Sequence, residues 1–168
     1  MSTGEQMARM GGCAVSRDPH ERLTALGLGS CIGLALLDPR TGVAGLAHIV
    51  LPGGTPLPGD PPVKYAPSGV AFLIERVIAG GGRRTRLQAV MVGGASMFSS
   101  SSKLEVGLRN TIAVREELER ARIPVTAEST GGKRGRTLRV YVGDGRVTTR
   151  VAGGVEEDLI AARCEVAA

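Results

Sequence analysis

A nearly continuous apolar stretch from Leu23 to Pro52 is the feature that most constrains the fold of this chain. It is interrupted once, at residues 38–42, where Asp-Pro-Arg-Thr-Gly supplies residue types that favour turns. The runs on either side, 31–37 and 43–51, are compatible with β-strands in length and composition. Because a short turn joins antiparallel neighbours, the stretch predicts a β-hairpin.

Apolar residues at helical spacing predict two main helices, over 65–79 and 106–121. The segment 53–62 is rich in proline and glycine and predicts a surface loop, and residues 99–102 predict a serine-rich loop. Further strands are expected at 87–92, 138–142 and 146–151, the last two joined by a tight turn at 143–145. Strands outnumber helices and neighbours can pair as hairpins, so we expect an α/β fold with a mixed, largely antiparallel β-sheet.

The chain has 168 residues, which fits one domain that can bury a core. Residues 1–20 are polar and contain glycine, and we expect a flexible N-terminal lead with at most one short strand there. The domain itself is expected over residues 21–152. Residues 153–168 are expected to form a C-terminal tail that is helical over 155–164.

The composition argues against several classes of function. Aromatic residues make up only 2% of the chain, which leaves few side chains for stacking on single-stranded nucleic acid. The net charge of +5 favours an acidic partner, but the arginines are spread along the sequence, and we expect no nucleic-acid partner. No stretch approaches the roughly 20 apolar residues of a membrane span, so no membrane insertion is expected.

The cysteines and histidines narrow the chemistry further. Cys13, Cys31 and Cys164 are odd in number and widely spaced, which argues against a disulfide framework and indicates a reducing, cytoplasmic location. Two histidines without a Cys-x-x-Cys pair are a poor basis for a zinc site. We therefore expect neither a metal nor a cofactor.

Cys31 follows the segment 26–30, Leu-Gly-Leu-Gly-Ser, in which two glycines stand just before the thiol. Glycine lets the backbone approach a substrate closely, and the backbone amides around Gly29, Ser30 and Cys31 are candidates to hold an oxyanion. The segment is also compatible with a buried cysteine that packs as a small hydrophobic side chain.

His48 is the only histidine outside the N-terminal segment and lies in the second run of the hairpin. If the numbers of paired residues sum to 79, His48 lies directly opposite Cys31; if they sum to 80, Cys31 lies opposite Ile49. A lone histidine among apolar residues is also compatible with a core position. A Cys31–His48 pair predicts a Cys31 thiolate that is more available than those of Cys13 and Cys164.

Short motifs follow one another along most of the chain, over roughly residues 22–150. They are Leu26-Gly27-Leu28-Gly29-Ser30-Cys31, Asp38-Pro39, Ala47-His48, Leu51-Pro52, Lys64-Tyr65-Ala66, Gly93-Gly94-Ala95-Ser96-Met97-Phe98, Gly107-Leu108-Arg109-Asn110 and Gly131-Gly132-Lys133-Arg134-Gly135-Arg136. This ordered set resembles the CheD family of chemoreceptor glutamine deamidases. The interval between Cys31 and His48 is also that of the family.

The resemblance implies a single layered α/β sandwich over 21–152, with Cys31 and His48 as the catalytic pair. In the family, a threonine immediately before the Leu-Gly-Leu-Gly-Ser-Cys motif completes the site. Here Ala25 occupies that position and Thr24 precedes it. Either Thr24 reaches the site through a bulge, or a backbone carbonyl orients His48, or the third group is missing. Our hypothesis is that the carbonyl of Ala25 serves.

The resemblance further implies a protein-glutamine glutaminase that converts chemoreceptor glutamines to glutamate through a Cys31 thioester and takes part in chemotaxis adaptation. It implies two partners, the cytoplasmic helices of chemoreceptors as substrate and a CheC-type phosphatase. Two alternatives stay open. One is a binding module that regulates receptors or the phosphatase with little or no turnover, and the other is transglutaminase-like transfer of the same acyl group to an amine.

Overall fold

The structure, a computed structural model, describes residues 4–96 and 101–164. Its strands are β1 (Gly4–Met7), β2 (Cys13–Ser16), β3 (Glu21–Leu28), β4 (Ile32–Leu37), β5 (Ala44–Ile49), β6 (Gln88–Gly93), β7 (Val125–Thr130), β8 (Arg136–Tyr141), β9 (Arg146–Val151) and β10 (Glu156–Ile160). Its helices are α1 (Ala66–Ala79) and α2 (Ser101–Arg120), with one turn of 3₁₀ helix at Arg84–Arg86.

The strands form two five-stranded sheets. Sheet A has the order β1-β3-β8-β9-β10, and sheet B has the order β2-β5-β4-β6-β7. The β1–β3 and β6–β7 pairs are parallel and the other pairs are antiparallel. The predicted α/β fold, with mixed and largely antiparallel β-structure and two main helices, is confirmed.

Sheet B is covered on both faces. One face packs against α1 and α2 in a core that includes Leu34 and Leu73, and the other packs against sheet A in a core that includes Leu46 and Leu138. Successive residues of a strand point to opposite faces, so a strand between two covered faces is apolar at every position. This explains why the sequence of the hairpin is continuously apolar and does not alternate.

The predicted hairpin is confirmed as β4 and β5, but its register differs from both alternatives derived from the sequence. Gly33 pairs with His48, so the numbers of paired residues sum to 81. The turn is longer than the sequence suggested, because the Asp38 N–H donates to the Val43 carbonyl (3.0 Å) and residues 38–43 all lie between the strands.

Asp38 anchors this turn and ties it to the connection between α1 and β6. Its buried carboxylate accepts hydrogen bonds from the Arg86 guanidinium (Nη2–Oδ2 3.0 Å) and from the backbone N–H groups of Arg83, Arg40 and Thr41. Burial alone would raise the pKa of the Asp38 carboxyl. The Arg86 charge and the three N–H donors outweigh burial and hold the pKa well below its usual range.

Both ends of the chain differ from the prediction. Residues 4–16, predicted as part of a flexible lead, contain β1, which pairs with β3, and β2, which pairs with β5. The tail predicted to be helical over 155–164 instead forms β10, which pairs with β9 across a turn at Gly153 (φ 80°). Pairing with distant strands outweighs local propensity in these short segments.

The remaining elements follow the prediction with shifted boundaries. The two predicted helices are confirmed, and α2 begins earlier than expected, at Ser101. Residues 101–102 of the predicted serine-rich loop therefore belong to α2, while residues 99–100 lie outside the described residues. The segment 53–62 contains neither helix nor strand. In the part of the chain that the structure describes, neither helix has the combined length and apolar character that crossing a bilayer requires.

We expect Asp38→Ala to lower the free energy of unfolding by about 3 kcal/mol, because it leaves the Arg86 charge and three N–H donors without their acceptor. Urea denaturation at neutral pH measures this loss. Asp60→Ala is the matched control, since Asp60 pairs with Lys64 near the surface (3.0 Å) and such pairs contribute little.

The Asp38 contribution should depend on pH with a defined sign. Its native pKa lies below the ordinary value of 3.8, so the contribution is complete above that value and is lost as the pH falls through the native pKa. The stabilities of the wild type and Asp38→Ala should therefore converge in acid. A loss at neutral pH no larger than that of the Asp60 control would contradict the anchoring role.

Candidate active site

Cys31 lies in the short connection between β3 and β4, at one end of the space between the two sheets. The connection turns sharply because Gly27, in a bulge of β3, has a positive φ of 65° and its carbonyl accepts a hydrogen bond from the Gly29 N–H (3.0 Å). The Cys31 residue is 6% exposed. The thiol therefore borders the buried space between the sheets.

The Gly93-Gly94 motif holds the backbone of Cys31. The Gly94 N–H donates to the Cys31 carbonyl (2.9 Å), and the Ala95 N–H donates to the Gly29 carbonyl (2.8 Å). A Cβ on Gly93 would lie 2.1 Å from the Cys31 carbonyl oxygen, and the φ of Gly93 is 119°, so only glycine fits there. The motif thus positions the backbone of the candidate nucleophile.

Asn110, on α2, fixes the same region from the helical side of sheet B. Its side chain is buried, and Nδ2 donates to the carbonyls of Ser30 (2.8 Å) and Val50 (2.9 Å). Ser30 precedes Cys31 and Val50 follows His48 by two residues, so one carboxamide ties both strands of the hairpin to the helix. The Oδ1 atom of Asn110 has no hydrogen-bond partner among the described residues.

His48 and Cys31 face the same interior space. His48 pairs with Gly33, two residues after Cys31, and its neighbours Ala47 and Ile49 point towards the helices, so His48 points towards sheet A. Cys31 packs in this intersheet core as well. Cys31 immediately precedes the first pair of the hairpin, Ile32 with Ile49, so it is not directly opposite His48 as the predicted register had it.

The segment between β1 and β2 holds His48 in a defined orientation. The Gly11 N–H donates to the His48 carbonyl (2.9 Å), and the His48 N–H donates to the Gly12 carbonyl (3.0 Å). The imidazole Nδ1 lies 3.3 Å from the Ala8 carbonyl oxygen. A carbonyl oxygen can only accept, so Nδ1 carries the proton and Nε2 carries the lone pair. Nε2 is buried and has no hydrogen-bond partner among the described residues.

Thr24 and Ala25 do not supply the group that meets His48. The Thr24 hydroxyl donates to Glu5 (Oγ1–Oε1 2.6 Å), whereas Ala25 is buried among the residues between the sheets. The carbonyl that contacts the imidazole is that of Ala8, and not that of Ala25 as predicted. Thr24 contributes through its backbone, because its carbonyl accepts the Ala8 N–H (2.9 Å) and so holds Ala8 in place.

Burial shifts the pKa values of both Cys31 and His48 towards the neutral forms. It raises the pKa of the Cys31 thiol, against a smaller opposing effect of the backbone N–H of Cys31 itself. It also lowers the pKa of the His48 imidazole, and the Ala8 carbonyl opposes this shift. Both groups are therefore neutral at neutral pH. Burial also raises the pKa of Cys13, so the prediction that the Cys31 thiolate is more available than those of Cys13 and Cys164 stays a prediction.

The backbone amides predicted to hold an oxyanion differ in availability. The Gly29 N–H is already bonded to the Gly27 carbonyl and cannot face a substrate. The Ser30 N–H has no partner among the described residues, and the Cys31 N–H contacts only its own sulfur, so both remain candidates. A thiol, a base with a free lone pair and unpaired N–H donors together suit nucleophilic attack on a carbonyl. No group of three His, Cys, Asp or Glu side chains in the described ranges is arranged to hold a metal ion.

Two residues that hold this site, Ala8 and Asn110, were not among the predicted site residues. Ala8 acts through its main chain, which has no signature in the residue type. Asn110 did leave a signal, because it occupies a core-facing position of α2 in line with Val114 and Leu118, both of which are buried. A polar residue at a buried helical position needs partners, and this one finds them on the hairpin.

Comparison with known proteins gives a consistent result. A protein-family model described as CheD chemotactic sensory transduction matches residues 51–151, a segment that begins after His48. The chain is similar to a probable chemoreceptor glutamine deamidase CheD of Caldanaerobacter subterraneus, with 43% identity over 78% of this chain and 83% of that protein. It is 40% identical to a protein of the same description from Symbiobacterium thermophilum, over 89% of this chain and 94% of that protein.

Two solved structures are similar at a lower level. The Bacillus licheniformis hypothetical protein YfiH aligns with a TM-score of 0.44 and 14% identity, over 72% of this chain and 49% of that one. A Neisseria meningitidis protein of the DUF152 family aligns with a TM-score of 0.41 and 11% identity, over 75% of this chain and 62% of that one. This chain thus spans about half the length of the first structure and less than two thirds of the second.

We expect Asn110→Ala to lower the free energy of unfolding by about 2 kcal/mol, because two buried carbonyls lose their donor. It should also speed the alkylation of Cys31, since the loop is released from α2. Urea denaturation gives the first quantity, and iodoacetamide labelling resolved by mass gives the second, with the exposed Cys164 as internal reference. Arg109→Ala, an exposed neighbour on the same helix, is the control. Unchanged labelling of Cys31 in folded Asn110→Ala would show that Asn110 does not position the loop.

Proposed function

The chain belongs to the CheD family, and on that basis we propose that it is a protein-glutamine glutaminase that deamidates chemoreceptors, with Cys31 as nucleophile and His48 as base. One observation carries the assignment of the pair. The Nε2 lone pair of His48 is buried without a partner among the described residues and faces the interior space that Cys31 borders. Nε2 carries no proton in this tautomer, so its lone pair can accept the proton of a thiol.

In the proposed reaction, His48 Nε2 takes the Cys31 proton as the sulfur attacks the side-chain carbonyl carbon of a glutamine. The N–H groups of Ser30 and Cys31 stabilise the negative charge that develops on the oxygen. The imidazolium then gives its proton to the leaving nitrogen, and ammonia departs from a thioester. Water, deprotonated by His48, attacks the thioester, and the products are glutamate and the free thiol.

The neutral resting state of the pair fits this sequence of steps. Burial disfavours a thiolate beside an imidazolium before the substrate arrives, so the proton moves during attack. The Ala8 carbonyl accepts the Nδ1 hydrogen throughout and stabilises the imidazolium that forms. A main-chain carbonyl therefore takes the orienting role that a threonine hydroxyl has in the family pattern.

The proposed substrate defines the setting of the activity. Chemoreceptor glutamines lie on cytoplasmic helices, so we place the activity in the cytoplasm, where conversion of glutamine to glutamate would contribute to chemotaxis adaptation. A CheC-type phosphatase is the second proposed partner. No cofactor takes part in the proposed steps.

The proposal is tested by incubating the protein with receptor cytoplasmic fragments and mapping the modified residues by mass spectrometry. Hydrolysis of an amide adds about 1 Da at a glutamine, whereas transfer to an added amine leaves an adduct at the same position. We expect the former, and no change with Cys31→Ala. Receptor fragments that bind the protein but stay unmodified would overturn the proposed deamidase activity and favour a binding module.

Variants of the site should separate the roles of its residues. Cys31→Ala should abolish ammonia release, and His48→Ala should lower kcat by about 10³-fold because the general base is lost. Thr24→Ala should keep the rate within about threefold, since its hydroxyl serves Glu5 and the contact with Ala8 uses the backbone. A Thr24→Ala rate as low as that of His48→Ala would show that the hydroxyl reaches the site.

The pH profile should report the lowered pKa of His48. Only the neutral imidazole can act as base, so kcat/KM falls when the pH drops below the His48 pKa in the free enzyme. Because burial lowers that pKa from 6.5, we expect the acid limb below pH 6.5. Rates of ammonia release from pH 5 to pH 8, on an enzyme shown to stay folded across that range, measure it. An acid limb at or above pH 7 would contradict a buried, neutral base.

A further inference from the structure

A group of cations near the start of β8 has no acidic partner among the residues that the structure describes. We call Lys133, Arg134, Arg136 and Arg150 the basic rim. None of the four forms an ion pair within the described ranges. Other arginines of sheet A behave differently, since Arg22, Arg139 and Arg146 pair with Glu5, Glu156 and Asp158. The rim is therefore an uncompensated positive region.

The basic rim is attached directly to the backbone that holds Cys31. The Gly131 N–H donates to the Gly93 carbonyl (3.0 Å), and Gly94 in turn donates to the Cys31 carbonyl (2.9 Å). The Arg136 guanidinium reinforces this link, because its Nη1 donates to the carbonyls of Gly93 (3.2 Å) and Gly131 (2.7 Å). The loop 131–135 thus lies two hydrogen-bonded steps from the candidate nucleophile.

A groove of about 210 Å³ opens beside the rim, at the ends of β3 and β9. It is lined by glycine backbone at Gly27, Gly135 and Gly153 and by the side chains of Arg136 and Arg150. The groove is too small for a folded element but large enough for one acidic side chain. Thr137 and Ala152 complete the lining, and a carboxylate can approach closely where the wall is glycine backbone.

The electrostatics of Arg136 favour an anion there. Burial lowers the pKa of its guanidinium, and no carboxylate among the described residues offsets this desolvation. Its Nε atom is buried and has no partner among those residues. Arg150, Lys133 and Arg134 are exposed, and Arg150 donates to the Gly154 carbonyl through Nε (3.0 Å), which leaves its two Nη groups to meet a ligand. Arginine forks bind carboxylates in a bidentate manner.

We infer that the basic rim binds carboxylate side chains of the protein substrate that flank the target glutamine. The inference rests on the proposed deamidase function and specifies its substrate class, a glutamine within an acidic protein segment. Nucleic acid is the less suitable anion, because stacking of bases requires aromatic side chains and the rim contains none. Tyr141, an aromatic residue of sheet A, is not part of the rim, and its ring is in contact with Arg22 and Arg146.

The test uses two synthetic helical peptides that share one central glutamine. One carries glutamate at positions three and four residues to either side of it, and the other carries serine there. Binding to Cys31→Ala protein is followed by fluorescence anisotropy, which needs no turnover. Ammonia release by the active protein gives kcat and KM for both peptides.

The double variant Lys133→Gln/Arg134→Gln should weaken binding of the acidic peptide about tenfold and raise its KM with kcat unchanged, because two charge pairs are lost. Binding of the serine peptide should not change. Arg40→Gln/Arg83→Gln is the matched control. This control removes the same positive charge from two exposed residues near the opposite end of β4. Only the backbone N–H groups of these two residues bind Asp38, so the substitutions leave those hydrogen bonds in place.

Three results would overturn the inference: equal affinity of the wild-type rim for the two peptides, an equal loss in the control double variant, or tighter binding of a single-stranded oligonucleotide than of the acidic peptide. The two proposals fail in different ways. Charge-dependent binding without ammonia release would reject the deamidase activity and support carboxylate binding by the basic rim. Ammonia release at equal kcat/KM from both peptides would support the deamidase activity and reject carboxylate binding by the basic rim.

Discussion

The burial of sheet B on both faces is the constraint on which the rest of the structure depends. Every residue of β4 and β5 is buried, so each polar group between them must find its partner inside the protein. Asp38 does so at one end of the hairpin, with an arginine and three backbone donors. The end that contains Cys31 and His48 is different. Of the seven buried side-chain polar atoms without a partner in the described residues, those of His48, Ser96, Asn110 and Arg136 lie around it. Atoms left unsatisfied in a native interior call for an explanation, and the proposed role of His48 as base supplies one for its Nε2 atom.

The two sheets are joined where the candidate base is held. Strand β1 belongs to sheet A and β2 to sheet B, and the residues between them pass over His48. Gly11 and Gly12 bond its backbone, and Ala8 contacts its ring. Gly11 has a φ of 77°, and a Cβ there would lie 2.7 Å from the Cβ of Pro61, so the backbone between β1 and β2 requires glycine at this position. Orientation of the imidazole is thus a property of the sandwich as a whole, because it requires both sheets to be in place.

The sequence predicted those parts of the fold whose signals are local. The apolar runs around residues 38–42 gave the hairpin, and helical spacing gave α1 and α2. Register depended on how Asp38 closes the turn, and that carboxylate binds Arg86, 48 positions away. The terminal strands have only four or five residues and depend on partners elsewhere in the chain, so composition alone described them wrongly. At the site, residue type pointed to Cys31 and His48, whereas the burial that keeps both neutral and the contact from Ala8 arise only on folding.

The contact between Ala8 and His48 has an evolutionary consequence. A hydroxyl that orients a histidine can be removed by one codon change, but a carbonyl is present in every amino acid and survives any substitution that preserves the path of the chain. Natural selection on this orientation therefore acts on backbone shape, through glycines such as Gly11, rather than on the identity of a side chain. Such an arrangement removes the need for a hydroxyl at the position of Ala25, which is still constrained by packing in the core between the sheets. We therefore expect an insertion or deletion between β1 and β2 to disturb the contact with His48 more than a point mutation that preserves the backbone path.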